Sequence, residues 1–240
     1  MVVESPAAAA ATGLVLSAVS DCAALEAISD GPDGLIGALP VGGIHVGLST
    51  VRPETIASLV ERHCALGGTF VAAPVVGRPN VIRAGSGVCL VGGADWATLR
   101  VRPVLVHAVG RVLPVGHHPA EAASLKLAAN LLAGGLLFAL AESLAIVSAA
   151  GPDGPRQLQA LIDVVLPVPM ARAYLDSLIT GPPEAGFPSR LAKKDLALIV
   201  ERLRTSRPRL SHALLGMFEN QHLPSDEDWS VVARAATFGA

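Results

Sequence analysis

The sequence predicts an α/β domain over residues 1–117, followed by an all-helical domain over residues 118–240. Short apolar runs typical of strands alternate with helical patterns in the first part, which indicates a parallel or mixed sheet. The second part shows helical periodicity only, interrupted by turns rich in glycine and proline. A long apolar helix over residues 118–150 joins the two predicted domains.

The first predicted domain consists of strands and helices separated by turn residues. Asp21 is placed to cap one helix, Pro53 suits the first turn of the next, and Pro103 strains the middle of a third. A further short helix is expected after Gly34, and residues 74–87 are expected to form a loop. The predicted strands are residues 13–19, 44–48, 69–73, 88–93 and 111–116, and the longer helices are residues 21–30, 54–68 and 94–110.

The second predicted domain begins with a helix that is apolar enough to raise the question of a membrane span. Residues 127–147 could cross a bilayer by length alone. Asn130, Glu142 and Ser143 interrupt the run, and neither a basic loop nor an aromatic belt flanks it, so a buried core helix is favoured. The predicted helices are residues 118–150, 157–166, 170–180, 191–205, 209–222 and 228–238.

Composition narrows the classes of function. Charged residues make up 16% of the chain, the formal net charge is -2 and no Lys/Arg run occurs, which argues against nucleic-acid binding. Cys22, Cys64 and Cys89 lie far apart without histidines at ligand spacing, so we expect neither disulfides nor a metal site. We expect three small core hydrophobes in a reducing, cytoplasmic compartment. The start of the chain lacks a basic signal segment and is expected to be mature sequence.

Two polar residues within the apolar helix are the main chemical signal. Lys126 and Asn130 are four residues apart, so on a helix they leave the same face one turn apart. Burial lowers the pKa of an amine toward the range in which it exchanges protons near neutrality. The alternative is that Lys126 extends to solvent while Asn130 bonds a neighbouring backbone group.

Several stretches together resemble the β-hydroxyacid dehydrogenase family, of the 3-hydroxyisobutyrate dehydrogenase type, which is related to 6-phosphogluconate dehydrogenase. The resemblance covers nearly the whole chain. Its implied fold is a Rossmann-like NAD(P)-binding domain followed by a helical domain for substrate binding and dimerisation. Its implied activity is hydride transfer between NADP or NAD and a small carbonyl or hydroxy substrate. Independently of the resemblance, a helix as apolar as residues 118–150 must be covered on all sides, so we expect a homodimer that buries surface of the helical domain. The stretches are Leu48-Ser49-Thr50 before Pro53-Glu54-Thr55, Ala73-Pro74-Val75-Val76-Gly77, Val91-Gly92-Gly93, Lys126-x-x-x-Asn130 and Lys194-Asp195.

The resemblance assigns roles to residues of the strand ends and the helices. Lys126 matches the general acid/base, and Asn130 would hold the substrate or the lysine by hydrogen bonds. Ser49 and Thr50 match a strand end that faces nicotinamide and substrate, although both hydroxyls could instead cap the following helix. Lys194 and Asp195 match residues that close over the site from the helical domain, with Lys194 among the cofactor-binding residues, although both could instead belong to a solvated charged face.

The predicted substrate loop departs from the family pattern. The family uses a serine and two glycines there, and their backbone N–H groups cradle a carboxylate. Here Val76 replaces the serine, Gly77 is retained and Arg78 replaces the second glycine, while Ala72 stands where the family has aspartate. The usual β-hydroxyacid substrate is therefore in question. Arg78 could bind a carboxylate in bidentate fashion, or point outward and pair with an acid.

The glycine fingerprint that opens the family's dinucleotide-binding domain is absent. The nearest string, Gly85-Ser86-Gly87, has Leu90 at the last glycine position and continues into a strand. Aligned by its motifs, the chain begins just before the family's third or fourth strand and lacks at least one βαβ unit, so the Rossmann-like domain is incomplete. Either the coding region starts upstream or the short form is genuine. We expect weak or no dinucleotide binding by the 240 residues.

Two alternative functions follow from these departures. Imine reductases share the architecture but usually replace the lysine, so Lys126 argues against that activity. A catalytically silent homologue could instead keep the helical domain for binding or assembly.

Overall fold

The computed structural model describes residues 2–182, 186–206, 209–220 and 225–239. These form two compact units, Met1–Ala129 and Asn130–Ala240, and each is described by itself. The division between the two units lies within the long helix, and the predicted domain boundary near residue 117 stays a prediction.

The first unit is built on a six-stranded mixed sheet. The strand order is β1-β2-β3-β5-β4, with β6 paired to β5. The first three strands are mutually parallel, β5 is antiparallel to both β3 and β4, and β6 is parallel to β5. The strands are β1 (Leu14–Ser17), β2 (Ile44–Gly47), β3 (Thr69–Ala72), β4 (Val75–Val76), β5 (Gly87–Gly92) and β6 (Gly110–Gly116).

The helices of the first unit follow the predicted pattern with two additions. The Asp21 side chain accepts a hydrogen bond from the Ala24 amide and caps the second helix, and Pro103 lies inside a continuous helix. The predicted loop at residues 74–87 contains β4 and a short helix, because two valines pair with β5 there. The helices are α1 (Pro6–Ala10), α2 (Cys22–Ser29), α3 (Leu35–Ala38), α4 (Pro53–Ala65), α5 (Pro79–Arg83) and α6 (Asp95–Val109).

Apolar side chains cover both faces of the sheet. One cluster joins Leu25 of α2, Leu59 of α4 and Ala122 of the long helix to the sheet. A second cluster packs Val101 and Leu105 of α6 against the opposite face. Helices on both faces of a largely parallel sheet are the layer arrangement that the alternating sequence pattern predicts.

The cysteines were predicted to be core residues, and only one of them is fully buried. Cys89 lies in β5 with no exposed surface, and burial raises the pKa of its thiol to about 11. Cys22 is half-buried and Cys64 is exposed on α4, so the prediction is wrong for Cys64. All three cysteines are free.

The described residues of the second unit form helices joined by turns and loops, and their β-structure is limited to one isolated bridge between Pro188 and Asp228. The prediction of an α/β part followed by an all-helical part is confirmed. The last predicted helix turn at residues 221–222 lies outside the described residues. The helices are the end of α7 (Pro119–Ala150), then α8 (Gly154–Val165), α9 (Pro169–Thr180), α10 (Ser189–Arg202), α11 (Leu210–Glu219) and α12 (Trp229–Phe238).

Helix α7 is long and apolar enough to cross a membrane. Its most apolar 18-residue window has a mean hydropathy of 2.0, and 33% of that window is buried. A single helix of this kind is weak evidence for a span, since core helices of soluble proteins pass the same test. Gly134 lies on the face of α7 that packs toward Leu214 and Trp229, where an added Cβ would be 3.6 Å from either side chain.

Candidate functional site

Ser49 links the carboxyl ends of two parallel strands in the first unit. Its Oγ accepts a hydrogen bond of 2.8 Å from the backbone N–H of Val19, which follows β1. Helix α4 begins after Arg52 without a side-chain cap, so the alternative role of Ser49 as a helix cap is wrong. Ser49 and Thr50 are both half-buried. Hydroxyl groups therefore lie at the sheet edge where open α/β sheets bind ligands.

The predicted substrate loop lies between β4 and α5. Val76 pairs with Val88 and packs against the core of the first unit, so its side chain has a structural role. Gly77 has φ of 146°, a backbone conformation that other residues rarely adopt. Arg78 is half-buried at the start of the short helix α5. The backbone conformation thus explains why residue 77 is a glycine, and the guanidinium group next to it in the chain is that of Arg78.

Helix α7 carries the predicted proton-transfer residue. Lys126 is only 9% exposed, which disfavours the alternative in which its side chain extends into solvent. Asn130 follows four residues later on the same continuous helix and is half-buried. A helix of 3.6 residues per turn places both side chains on one face.

Asn130 is bound by a buried carboxylate of the second unit. Its Nδ2 donates a hydrogen bond of 2.6 Å to Oδ2 of Asp195, whose Oδ1 lies 2.8 Å from Nζ of Lys194. Asp195 is 3% exposed, and the Lys194 side chain is 24% exposed. The alternative of a fully solvated charged face is therefore wrong for this pair.

Sequence reasoning identified Lys194 and Asp195 but missed the bond to Asn130. A signal for it was available in the spacing of α10. The buried residues Ala192, Asp195, Leu196 and Ile199 follow the helical repeat, so the aspartate stands within the apolar stripe of the helix. A carboxylate in such a stripe needs a partner, because an unpaired buried charge is costly.

A second buried polar cluster was not predicted. Oγ of Ser17 lies 2.7 Å from Nε2 of His45, and Nδ1 of His45 lies 2.9 Å from Nε2 of His63. Burial, followed by the nearby His63, lowers the pKa of His45 to about 3. Burial, followed by the charge of Arg62, lowers the pKa of His63 to about 4. The Phe70 ring packs edge-on against His45.

Neither a metal site nor the glycine fingerprint is found among the described residues. No group of three or more His, Cys, Asp or Glu side chains could hold a metal ion there. Gly85 has φ of 67° and lies in the turn between α5 and β5, and the string continues into β5 at Gly87. The structural context of a dinucleotide fingerprint, a strand followed by a turn and a helix, is therefore missing at this string.

Comparison with known proteins gives the same family as the sequence motifs. Residues 1–116 match the NAD binding domain of 6-phosphogluconate dehydrogenase. An uncharacterized oxidoreductase, YfjR of Bacillus subtilis (strain 168), is 26% identical over 232 residues, covering 95% of this chain and 81% of that protein. The 3-hydroxyisobutyrate dehydrogenase of Pseudomonas aeruginosa is 31% identical over 186 residues, covering 72% of this chain and 60% of that protein.

The fold agrees with these matches. The crystal structure of 3-hydroxyisobutyrate dehydrogenase from Salmonella typhimurium superposes with a TM-score of 0.81 at 21% identity, covering 96% of this chain and 82% of that chain. The architecture is that of a class of dinucleotide-linked oxidoreductases, in which helices follow a Rossmann-like sheet. Residues 1–116 belong to the NAD-binding domain family of 6-phosphogluconate dehydrogenase, and the relatives that match longer stretches of the chain include 3-hydroxyisobutyrate dehydrogenase and 2-(hydroxymethyl)glutarate dehydrogenase. The resemblance seen in the sequence motifs is thereby confirmed.

Proposed function

We propose that the chain transfers hydride between a nicotinamide cofactor, NADP or NAD, and a small carbonyl or hydroxy substrate, with Lys126 as the general acid/base. The observation that carries this proposal is the burial of Lys126 on the face of α7 that also bears Asn130. Carbonyl reduction needs a proton at the oxygen that becomes an alkoxide, and a positioned amine can supply it. In the reverse direction the neutral amine takes the proton from the hydroxyl group.

The other site residues have distinct tasks in this proposal. Asn130 orients the substrate or the Lys126 amine by a hydrogen bond, and Arg78 binds a substrate carboxylate through its planar guanidinium. Val76 contributes an apolar wall, since it has no hydroxyl, and Gly77 lets the backbone turn toward the ligand. The charge of Arg78 thus binds the substrate carboxylate, in place of the serine of the family pattern.

The described residues include candidate groups for binding the nicotinamide cofactor but no glycine cradle for its pyrophosphate. The nicotinamide supplies the hydride when bound, and Ser49, Thr50 and Lys194 would hold the cofactor. The described turns that lead from β1 into α2 and from β2 into α4 carry no glycine fingerprint, so the pyrophosphate has no glycine cradle in them. We therefore expect weak dinucleotide binding by the 240-residue chain. A micromolar dissociation constant for NADPH, measured by its fluorescence, would contradict this expectation.

Turnover by the Lys126→Ala variant tests the proposed chemistry. The assay follows NADPH or NADH absorbance at millimolar cofactor with a panel of small aldehyde and keto acids. We expect the variant to lose about 10²–10⁴-fold in kcat, which is the usual contribution of a positioned acid or base. The variant Lys193→Ala, on the exposed side of α10, is the matched control. Equal turnover in the wild type and Lys126→Ala would refute the role of Lys126.

We also propose that the chain forms a cytoplasmic homodimer through its helical unit. Large apolar side chains of α7 and α8 are exposed, and exposed apolar patches of this kind often mark interfaces between protein chains. Light scattering at micromolar concentration measures the mass directly, and a monomeric mass would contradict the proposal. The most exposed of these side chains are Leu132, Ile146, Val164 and Val165, with exposed fractions of 73%, 73%, 79% and 62%.

A further inference from the structure

Asp195 is a buried carboxylate with two different partners. One oxygen accepts the short hydrogen bond from the Asn130 amide, and the other oxygen faces the ammonium of Lys194. The residue is 3% exposed and belongs to the apolar stripe of α10. Removing a charge from water is costly, and a buried ion pair is often no more stabilising than apolar residues of similar volume. Stability alone therefore gives little reason for an aspartate at this position.

The chemistry of the bond determines how the Asn130 side chain is oriented. An ionised carboxylate only accepts hydrogen bonds, so only the amide nitrogen of Asn130 can face it. The amide oxygen is then turned away from Asp195 and is the acceptor that Asn130 can present to other groups. With a neutral amide in place of the carboxylate, both orientations of the Asn130 side chain would find a partner, because an amide donates as well as accepts.

We propose that Asp195 is a positioning residue, which selects the orientation of the Asn130 amide in which its oxygen serves proton transfer. This inference rests on the proposed function, because it gives Asn130 a partner that a reductase needs. A lysine ammonium and a substrate hydroxyl are both hydrogen-bond donors, so each requires an acceptor. The reversed amide would offer two N–H groups to those donors and would oppose them. Asp195 thus acts on the reaction through Asn130 without contacting the substrate.

Asp195→Asn is the first test, since it keeps the shape and removes the selection of one amide orientation. We expect kcat to fall about 10–100-fold, as for a small misplacement of a reacting group, while the KM for the substrate changes little. Asp163→Asn is the matched control, because Asp163 is an exposed carboxylate that pairs with Arg172 in the same unit. The control should keep full activity.

A double-mutant cycle distinguishes positioning from general damage to the fold. If Asp195 acts through Asn130, Asp195→Asn should slow the Asn130→Ala variant no further, because the group it positions is already gone. The same substitution should still slow the Lys194→Met variant. Additive losses with Asn130→Ala, or a loss that vanishes with Lys194→Met, would each overturn the proposal. If Asp195→Asn fails to fold, Asp195→Ser replaces it in both cycles, because a hydroxyl group also donates as well as accepts and so removes the selection.

The side-chain amide of Asn130 provides a readout that does not depend on turnover. In the nuclear magnetic resonance spectrum of the wild type, one N–H proton of Asn130 should be shifted downfield by the 2.6 Å bond to a carboxylate. Asp195→Asn should abolish this shift, and Asp163→Asn should preserve it. An unchanged Asn130 signal would overturn the positioning role even in an active enzyme. A wild type without turnover, but with the expected shift, would instead contradict the proposed function alone.

Discussion

The buried pair of His45 and His63 predicts that the first unit loses stability in mild acid. Both rings are neutral in the folded chain, because their pKa values are lowered to about 3 and about 4. In the unfolded chain both return to the ordinary value near 6.5 and take up protons below it. The unfolded state therefore binds more protons, and the free energy of unfolding falls as the pH drops from about 7. The loss stops only below the folded pKa values.

The magnitude follows from the difference between folded and unfolded pKa values. Between pH 7.5 and pH 5 an unfolded histidine gains nearly one proton, and integrating the linkage relation gives about 2 kcal/mol for each ring. The combined loss is thus about 4 kcal/mol, which is a large part of the stability of a typical domain. The groups that surround the rings offer no compensating negative charge: Ser17, the Phe70 ring and Arg62 are neutral or positive, and Arg62 pairs with Asp30.

Urea unfolding followed by circular dichroism at a series of pH values measures this loss. His63→Gln removes one titrating ring while keeping a polar group near Nδ1 of His45, so the loss between pH 7.5 and pH 5 should shrink by about 2 kcal/mol. His107→Gln, on the exposed side of α6, is the control and should leave the loss unchanged. The reasoning fails if the pH dependence of His63→Gln equals that of the wild type.

Two further predictions concern substrate binding and the helical unit. Arg78→Leu should raise the KM for substrates that carry a carboxylate by about 10-fold or more, because a charge-assisted bidentate pair is lost. The KM for neutral aldehydes should stay unchanged. An equal change in KM for both substrate classes, measured by steady-state kinetics, would count against carboxylate binding. Asp228→Ala should lower the free energy of unfolding by about 3–5 kcal/mol. The substitution removes the fully buried carboxylate that accepts hydrogen bonds from the backbone of Gly186, Phe187 and Ser230 and from the Ser230 hydroxyl, so these donors lose their acceptor. Urea unfolding measures this loss, and Asp226→Ala is the control because Asp226 is an exposed neighbour. The control should change the free energy of unfolding by less than about 0.5 kcal/mol.

Most of the fold could be predicted because its signals are local in the sequence. The cap at Asp21, the proline at the start of α4 and the apolar runs of β1, β2 and β3 each involve neighbouring residues. Strand β4 was missed because two residues carry no periodicity, and only pairing with β5 makes Val75 and Val76 a strand. Helix α1 was missed because it is a five-residue stretch within an alanine-rich segment.

The site was predictable only where its residues share one element. Lys126 and Asn130 lie on one helix, so their relation follows from the helical repeat alone. The bond from Asn130 to Asp195 spans 65 residues, and no local pattern specifies which buried groups meet across that distance. The same holds for His45 and His63, which come from β2 and α4 and meet only because the helix packs on the sheet.

The different surroundings of the cysteines give this chain an internal measure of its own unfolding. A thiol reacts with alkylating agents as the thiolate, so the buried Cys89, with a pKa of about 11, is protected while β5 remains in the sheet. Cys64 is exposed on α4 and is open to labelling in the folded chain. After Cys64 is blocked, the rate at which Cys89 becomes labelled reports how often the central strands open. The labelling rate of Cys89 therefore measures the opening of the sheet without any change to the sequence.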